Sequence, residues 1–401
     1  MAAPLDDKTR AIITACVPAL EGHGLAITTE MYRRLLANPA IRDLFNISHQ
    51  KDGEQPRALA LAVLAYARHI NDPGVLGAMV ERIAEKHVGL NILPEHYPYV
   101  AEALLGAIGH VLGDAATPEM LDAWGKAYWF LADILIGREK EIYETHEAAP
   151  GGWIGWRPFR VARRVRESET VTSFELVPTD GQPVMRHQPG QYLSFRLDVP
   201  GHGSQRRNYS ISSAPDDSSY RISVRRIDGG VVSDWLHASV DEGTELLVSA
   251  PAGDFVLEHA PAITLLSAGV GLTPLMSMLD TLMGAGNAPA LHYIHATRTP
   301  QTEAFGSHVR TLAASGRIRH DVFYSRETPA DDVVGVGTTQ HAGRLTPEWL
   351  KAQVQPGNVY YICGPDAFMR DMVATLKEAG VPEKAIRFEF FGSAADAELS
   401  A

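Results

Sequence analysis

In the stretch VERIAEKHVGLNILPEHYPYV a histidine stands where a helix should be burying aliphatic side chains. Val75, Met79, Val80 and Ile83 recur at three- and four-residue steps, and His87 comes four residues after Ile83. That spacing predicts a His87 that points into a core. Tyr97 follows beyond the Leu93–Pro94 turn. Further on, PEMLDAWGKAYWFLADILIGREKEIYE puts Leu121, Trp124, Tyr128, Leu131 and Leu135 on one helical face, and Glu139 continues it. A carboxylate is costly to bury alone, and a metal-bound imidazole with a free ring N–H is a suitable partner that the carboxylate makes more basic. By spacing alone, a satisfied core histidine and a solvated helix-end carboxylate are the simpler readings.

A second group of residues suits a nucleotide. LLSAGVGLTP places Gly269, Val270 and Gly271 between an apolar strand and a helix. There the backbone can approach a pyrophosphate, and a helix N-terminus offers free amides to it. After Leu272, Thr273 is the expected N-cap, with Pro274 at the first helical position. YYICGP ends a later strand on Cys363, Gly364 and Pro365, and a doubly wound sheet binds ligands at the carboxyl ends of its strands. The pattern is G-x-G-x-T-P rather than G-x-G-x-x-G. No acidic residue closes the second strand to hold a ribose; Arg298 stands there instead, and is compatible either with a 2′-phosphate or with simple solvation. Upstream, RRNYSISSAP offers Arg207, Tyr209 and Ser210 as a charge, an aromatic face and a hydroxyl, and GGVVSDWL puts Gly230, Val232 and Ser233 at a helix start.

The 401 residues exceed one ordinary core, and 45% hydrophobic with 21% charged residues reads as globular. Net charge is −12, from 36 basic and 48 acidic residues, which leaves no footprint for nucleic acid. Two cysteines, Cys16 and Cys363, are too few for a disulfide framework or a cysteine-ligated cluster. The longest apolar run, LALAVLAYA, is short of a membrane span, and the first residues lack a signal-peptide pattern; a cytoplasmic protein is expected. Three segments differ in period. Residues 1–150 are helical throughout, and APGGWIGWRPFRV then acts as a linker. Residues 151–260 alternate with period two, as in GQYLSFRLDV, and predict a small antiparallel barrel. Residues 261–401 alternate apolar strands with helices, which predicts a parallel α/β unit.

The motifs R-x-Y-S, G-x-V-S and G-V-G-x-T-P, in this order, resemble the ferredoxin–NADP reductase superfamily from roughly Trp153 to Gly392. The resemblance implies FAD, with Arg207 at its pyrophosphate, Tyr209 against the ring, Ser210 near the reactive ring nitrogen and Tyr192 of PGQYLSF beside it. It also implies NADH or NADPH at the two glycine loops. The terminal RFEFFG resembles the family's last aromatic strand, with Phe391 near the flavin and Gly392 after it. Many relatives read Cys-Phe-Gly-Pro where this chain reads Phe390-Phe391-Gly392-Ser393.

The N-terminal TTEMYRRLLANPAIRDLFNISHQKDGEQPRAL, with AEKH and LDAWGKAY, resembles a globin, and the whole chain resembles the flavohaemoglobins. The implied architecture is multidomain: an all-α globin domain, an antiparallel β-barrel FAD domain and an α/β nucleotide-binding domain. The resemblance implies haem b with His87 as proximal iron ligand and Tyr97 and Glu139 as its hydrogen-bonded relay. It places Tyr32 and Gln55 next to dioxygen, Phe45 against the porphyrin and Leu59 over the iron. Lys86 and Glu389 match positions that tune haem and flavin potentials where the domains meet. The implied activity is that of a nitric oxide dioxygenase, in which NAD(P)H reduces FAD, FAD reduces haem, and nitric oxide and dioxygen become nitrate. A haem–flavin reductase of dioxygen, peroxides or bound lipid is the enzymatic alternative, and an oxygen sensor or store is the alternative of another class. The expected partners are dioxygen, nitric oxide and NAD(P)H, with a lipid in the haem pocket left open, and the expected state is a monomer.

Overall fold

The computed structural model describes residues 4–42, 44, 54–286, 289–326 and 334–391. The first part is helical: α1 (Asp7–Ala15), α2 (Val17–Ala37), α3 (Pro39–Arg42), α4 (Glu54–Arg68), α5 (Gly77–Gly89), α6 (Tyr97–Leu112) and α7 (Pro118–Ala148). The Asp6 side chain caps α1 by accepting from the Thr9 N–H at 2.7 Å, and Thr117 caps α7 ahead of Pro118. Ile27, Met31, Leu35, Tyr66 and Trp124 fill one core, while Ala84, Val88, Tyr97, Ala132, Leu135 and Ile142 form a second cluster between α5 and α7. Val75 departs from the predicted stripe. Pro73 starts a separate 3-10 turn over Pro73–Leu76, α5 begins only at Gly77, and Val75 is 59% exposed. The buried face of α5 is instead continued by Ala84 and Val88.

The second part holds β1 (Arg157–Arg166), β2 (Val171–Pro178), β3 (Tyr192–Val199), β4 (Gly203–Ser210), β5 (Tyr220–Arg225), α8 (Val231–Ser239) and β6 (Glu245–Val248). The strands form an antiparallel sheet in the order β4-β3-β6-β1-β2-β5, and a bridge between Ile211 and Ile222 brings its two ends together. Phe159, Phe174, Leu193, Phe195, Tyr220 and Ile222 are fully buried inside it, as alternating strands that curl around one core require.

The third part comprises β7 (Ala262–Ala268), α9 (Leu272–Gly284), β8 (Ala290–Thr297), α10 (Gly306–Ala314), β9 (Arg319–Tyr324), β10 (Val334–Gly335), β11 (Thr338–Ala342), α11 (Pro347–Gln353), β12 (Val359–Cys363), α12 (Asp366–Glu378) and β13 (Ile386–Glu389). The sheet order is β10-β11-β9-β8-β7-β12-β13, parallel except for the β10–β11 pair. β7 has β8 on one side and β12 on the other, so the strand order reverses there, and the crevice outside its carboxyl end is the place for a ligand. The start of α9 differs from the expectation. Gly269–Gly271 already turns as a 3-10 segment and Gly271 caps the helix, so Thr273 lies inside it and its hydroxyl donates to the Val270 carbonyl at 3.1 Å.

Candidate functional site

His87 sits in the last turn of α5, and α7 runs beside that helix. Its Nδ1 lies 2.7 Å from Glu139 Oε1 and 3.1 Å from the Tyr97 hydroxyl, and that hydroxyl donates to the same Oε1. Tyr97 is fixed from above by Tyr128, whose hydroxyl donates to the Tyr97 carbonyl at 2.7 Å. Glu139 is 2% exposed, which settles the choice between a solvated and a buried carboxylate. Its flanking cations turn elsewhere: Arg138 pairs with Glu81 and Glu141, and Lys140 lies by Glu144. Burial and the Glu139 charge push the Tyr97 phenol well above the ordinary range, so it keeps its proton. The second oxygen of Glu139, Oε2, is buried without a hydrogen-bond partner among the described residues. With Nδ1 committed to Oε1, the nitrogen left for a metal is Nε2, on an imidazole that keeps 30% exposure. This donor set fits haem iron, which takes one imidazole and leaves the ligand's other nitrogen to a carboxylate.

On the other helices, Tyr32 of α2 and Leu59 of α4 pack against one core, and Thr28 ties the two helices by donating to the Pro56 carbonyl at 2.7 Å. Burial pushes the Tyr32 phenol up to about 12, so at neutral pH it is a donor. Gln55 lies in the first turn of α4; its side chain, Phe45 and Gly392 lie outside the described residues.

The end of α5 is pressed against the barrel. A Cβ on Gly89 would meet Ser194 Oγ at 3.1 Å and Tyr192 Cε2 at 3.2 Å. Arg206 donates from Nη1 to the Leu90 carbonyl and lies over the Trp156 ring at 5.1 Å. Glu85 accepts from the Gly253 N–H at 3.0 Å, and Lys86 is half-buried beside it. The sequence reading singled out none of Arg206, Trp156 or Glu85. An arginine doublet and a charged helix end carry no spacing signal for a contact between segments more than a hundred residues apart.

On the barrel, Arg207 and Tyr209 alternate along β4 and so share a face. Tyr209 pairs with Leu193 in register and sets its ring edge-on to Phe195 at 5.6 Å, while Ser210 pairs with Tyr192. Arg207 donates to the Arg206 carbonyl at 2.6 Å, and burial lowers the affinity of its guanidinium for its proton. Gly230 caps α8, Val232 is buried, and Ser233 accepts from the Ile227 N–H at 3.1 Å.

At the switch point the two glycine loops touch. A Cβ on Gly271 would lie 2.2 Å from the Cys363 carbonyl oxygen and 2.6 Å from the Gly364 nitrogen, and one on Gly364 would lie 2.8 Å from Phe368. Glycine is needed there for space. Gly269 (φ +54°) and Val270 lead into the loop, and Leu272 to Pro274 form the first turn of α9. Pro365 leads into α12, and Cys363 pairs in register with Glu389 of β13. Phe390 is buried against Phe388, and Phe391 is 44% exposed beyond it.

A family model of globins matches residues 29–135, one of the oxidoreductase FAD-binding domain matches 158–257, and one of the oxidoreductase NAD-binding domain matches 265–374. A flavohemoprotein of Xylella fastidiosa is 45% identical over 405 residues, covering 100% of both chains. One of Deinococcus radiodurans is 47% identical over 97% of each. The chain belongs to the flavohemoprotein family. A flavohemoglobin of Malassezia yamatoensis, solved with bound FAD and heme, superposes with a TM-score of 0.87 at 27% identity, covering 97% of this chain and 100% of that one. The FAD/NAD-binding domain of a nitric oxide dioxygenase of Vibrio cholerae gives 0.54 at 34% identity, covering 59% of this chain and 98% of that one. The chain is therefore an oxidoreductase with haem, FAD and nicotinamide domains, built to pass electrons from NAD(P)H towards haem. Among the described residues no single helix is long and apolar enough to cross a membrane.

Proposed function

We propose that this chain is a nitric oxide dioxygenase that converts nitric oxide and dioxygen to nitrate with electrons from NAD(P)H. The observation that carries the reading is the His87–Glu139–Tyr97 relay. When bound, haem supplies an iron with an open coordination position and FAD turns one hydride into single electrons. His87 would hold the iron through Nε2. Glu139 holds the Nδ1 proton at Oε1 and so makes the imidazole a stronger electron donor, which suits dioxygen activation better than reversible storage. Tyr97 orients Oε1 by donating to it, and its raised pKa keeps that proton on the phenol.

Tyr32, protonated at neutral pH, would donate its hydroxyl hydrogen to a partly anionic oxygen ligand if haem supplies one. Arg207 and Tyr209 would hold the FAD pyrophosphate and ring, with Ser210 and Tyr192 beside the ring and Gly230 to Ser233 offering helix-start amides. Gly269 to Pro274 and Cys363 to Pro365 would hold NAD(P)H at the switch point, with Glu389 at the neighbouring strand end. The likeness to the Vibrio cholerae nitric oxide dioxygenase supports the same reading.

The test is nitric oxide consumption by the holoenzyme with NAD(P)H, with and without dioxygen, and nitrate as the product assayed. Tyr32→Phe should keep haem, FAD and dye reduction while dioxygen dissociates about ten- to hundredfold faster, since a hydrogen bond of about 1.5–3 kcal/mol is lost. Dye reduction without oxygen-dependent nitrate formation would reject the proposal.

A further inference from the structure

Several arginines of the reductase are paired with carboxylates: Arg221 with Asp280, Arg226 with Asp234, Arg310 with Glu303 and Arg319 with Asp321. Arg225 and Arg298 differ. Among the described residues neither guanidinium has a hydrogen bond or an ion pair, and the charge that acts on half-buried Arg225 is that of Arg298, a like charge. The two belong to different domains. Arg225 ends β5 of the barrel, and its Nη1 lies 3.6 Å from where a Cβ on Gly269 would be. Arg298 follows β8 of the nucleotide domain and is exposed. Two backbone hydrogen bonds dock these segments, from the Arg226 N–H to the Thr170 carbonyl at 2.8 Å and from the Glu169 N–H to the Gln301 carbonyl at 3.0 Å.

We propose that Arg225 and Arg298 form one phosphate clamp across the two domains, and that it takes the 2′-phosphate of NADPH. The pyrophosphate common to both nicotinamide dinucleotides already has the glycine loop and the start of α9. The end of the second strand is where the adenosine ribose lies, and a ribose diol there is held by a carboxylate. β8 ends on Thr297 and is followed by Arg298 and Thr299. The first carboxylate after them, Glu303, is buried and already holds Arg310 at 2.8 and 2.9 Å and the Tyr324 hydroxyl at 2.7 Å. A dianion between the two guanidiniums removes their mutual repulsion and supplies charge-assisted hydrogen bonds, whereas a bare diol does neither. The inference deepens the proposed function by naming the reductant, and rests on it only for NAD(P)H as the electron source.

The test uses the full-length holoenzyme and ferricyanide as acceptor, so flavin turnover is read without nitric oxide. The wild-type protein should show a higher kcat/KM with NADPH than with NADH, by at least about tenfold. Arg298→Gln, a surface change, should lower that ratio about ten- to hundredfold, the loss of one or two charge-assisted hydrogen bonds. Arg225→Gln should do the same, with visible flavin absorbance reporting that the barrel still holds FAD. As a competitor, 2′,5′-ADP should bind the wild-type protein at least about tenfold more tightly than 5′-ADP and lose that advantage in both variants. Equal losses with NADPH and NADH would put the clamp on the shared pyrophosphate and overturn the 2′-phosphate assignment. A wild-type preference for NADH, or an unchanged ratio in Arg298→Gln, overturns it too. Failure to consume nitric oxide alongside the expected ratios would reject the proposed function and leave the clamp standing.

Discussion

His87, Tyr97 and Glu139 are side chains brought together from three helices, with 52 residues separating the imidazole from its carboxylate. The dinucleotide loops use other material. Gly269 to Gly271 and Cys363 to Pro365 bring backbone amides and bare space to the ends of two adjacent strands, so close that one loop's glycine touches the other's carbonyl. A site made of side chains fails when a functional group is removed. A site made of backbone fails when a methyl group is added. The contrast also explains specificity: the helical site can tune one ligand atom through a buried carboxylate, while the loops hold any dinucleotide and leave discrimination to residues at the rim.

The sharpest way to break this comparison is His87→Ala. It should remove the haem Soret band, while FAD content and NAD(P)H-driven dye reduction stay, because the flavin residues all lie in the other domains. Normal dioxygen binding by that variant would show that the helical site is not the haem site. Next in size is Gly271→Ala, whose new Cβ would collide with backbone at Cys363 and Gly364 that cannot swing aside. Parting the loops by about 1 Å should cost roughly a hundredfold in kcat/KM for dye reduction, with the Soret band unchanged. Wild-type kinetics would mean that the two loops do not act together.

Acid sharpens the comparison further. In the reductase, burial lowers His187 and His295 to about 4 and His320 to about 3, and each has one ring nitrogen without a hydrogen-bond partner among the described residues. They are neutral in the folded state, whereas an unfolded histidine takes up a proton below about 6.5. Their stabilisation is complete above 6.5 and is lost as pH falls towards the folded values, by about 2 kcal/mol per histidine between pH 7 and pH 5. The helical domain has milder cases, His96 and His146, also lowered by burial. Thermal melts should therefore show flavin release moving to lower temperature ahead of haem release between pH 7 and pH 5. Equal shifts would mean that these histidines are not neutral and buried in solution.

The features legible in the sequence were local ones. The order of helical, alternating and strand–helix segments followed from period, and Gly230 at the start of α8 and the glycine turn after β7 followed from residue type. The misreadings were local as well. Val75 fitted a four-residue step, but Pro73 started its own turn; Thr273 looked like a cap, but the glycine turn before it had already begun the helix.

Sequence alone thus determined the three architectures, because hydrophobic period and glycine chemistry act within a few residues of chain, and the family was legible only as a resemblance of motifs. Tertiary structure decided what surrounds each charge. Glu139 could have been solvated, and only the packing of α7 on α5 buries it against His87 and Tyr97. Arg206 reaching the end of α5, Glu85 reaching Gly253, and the charge of Arg298 acting on Arg225 depend on segments more than seventy residues apart folding onto one another. Electrostatic and hydrogen-bond energies depend on distance in space, and no spacing along the chain encodes that.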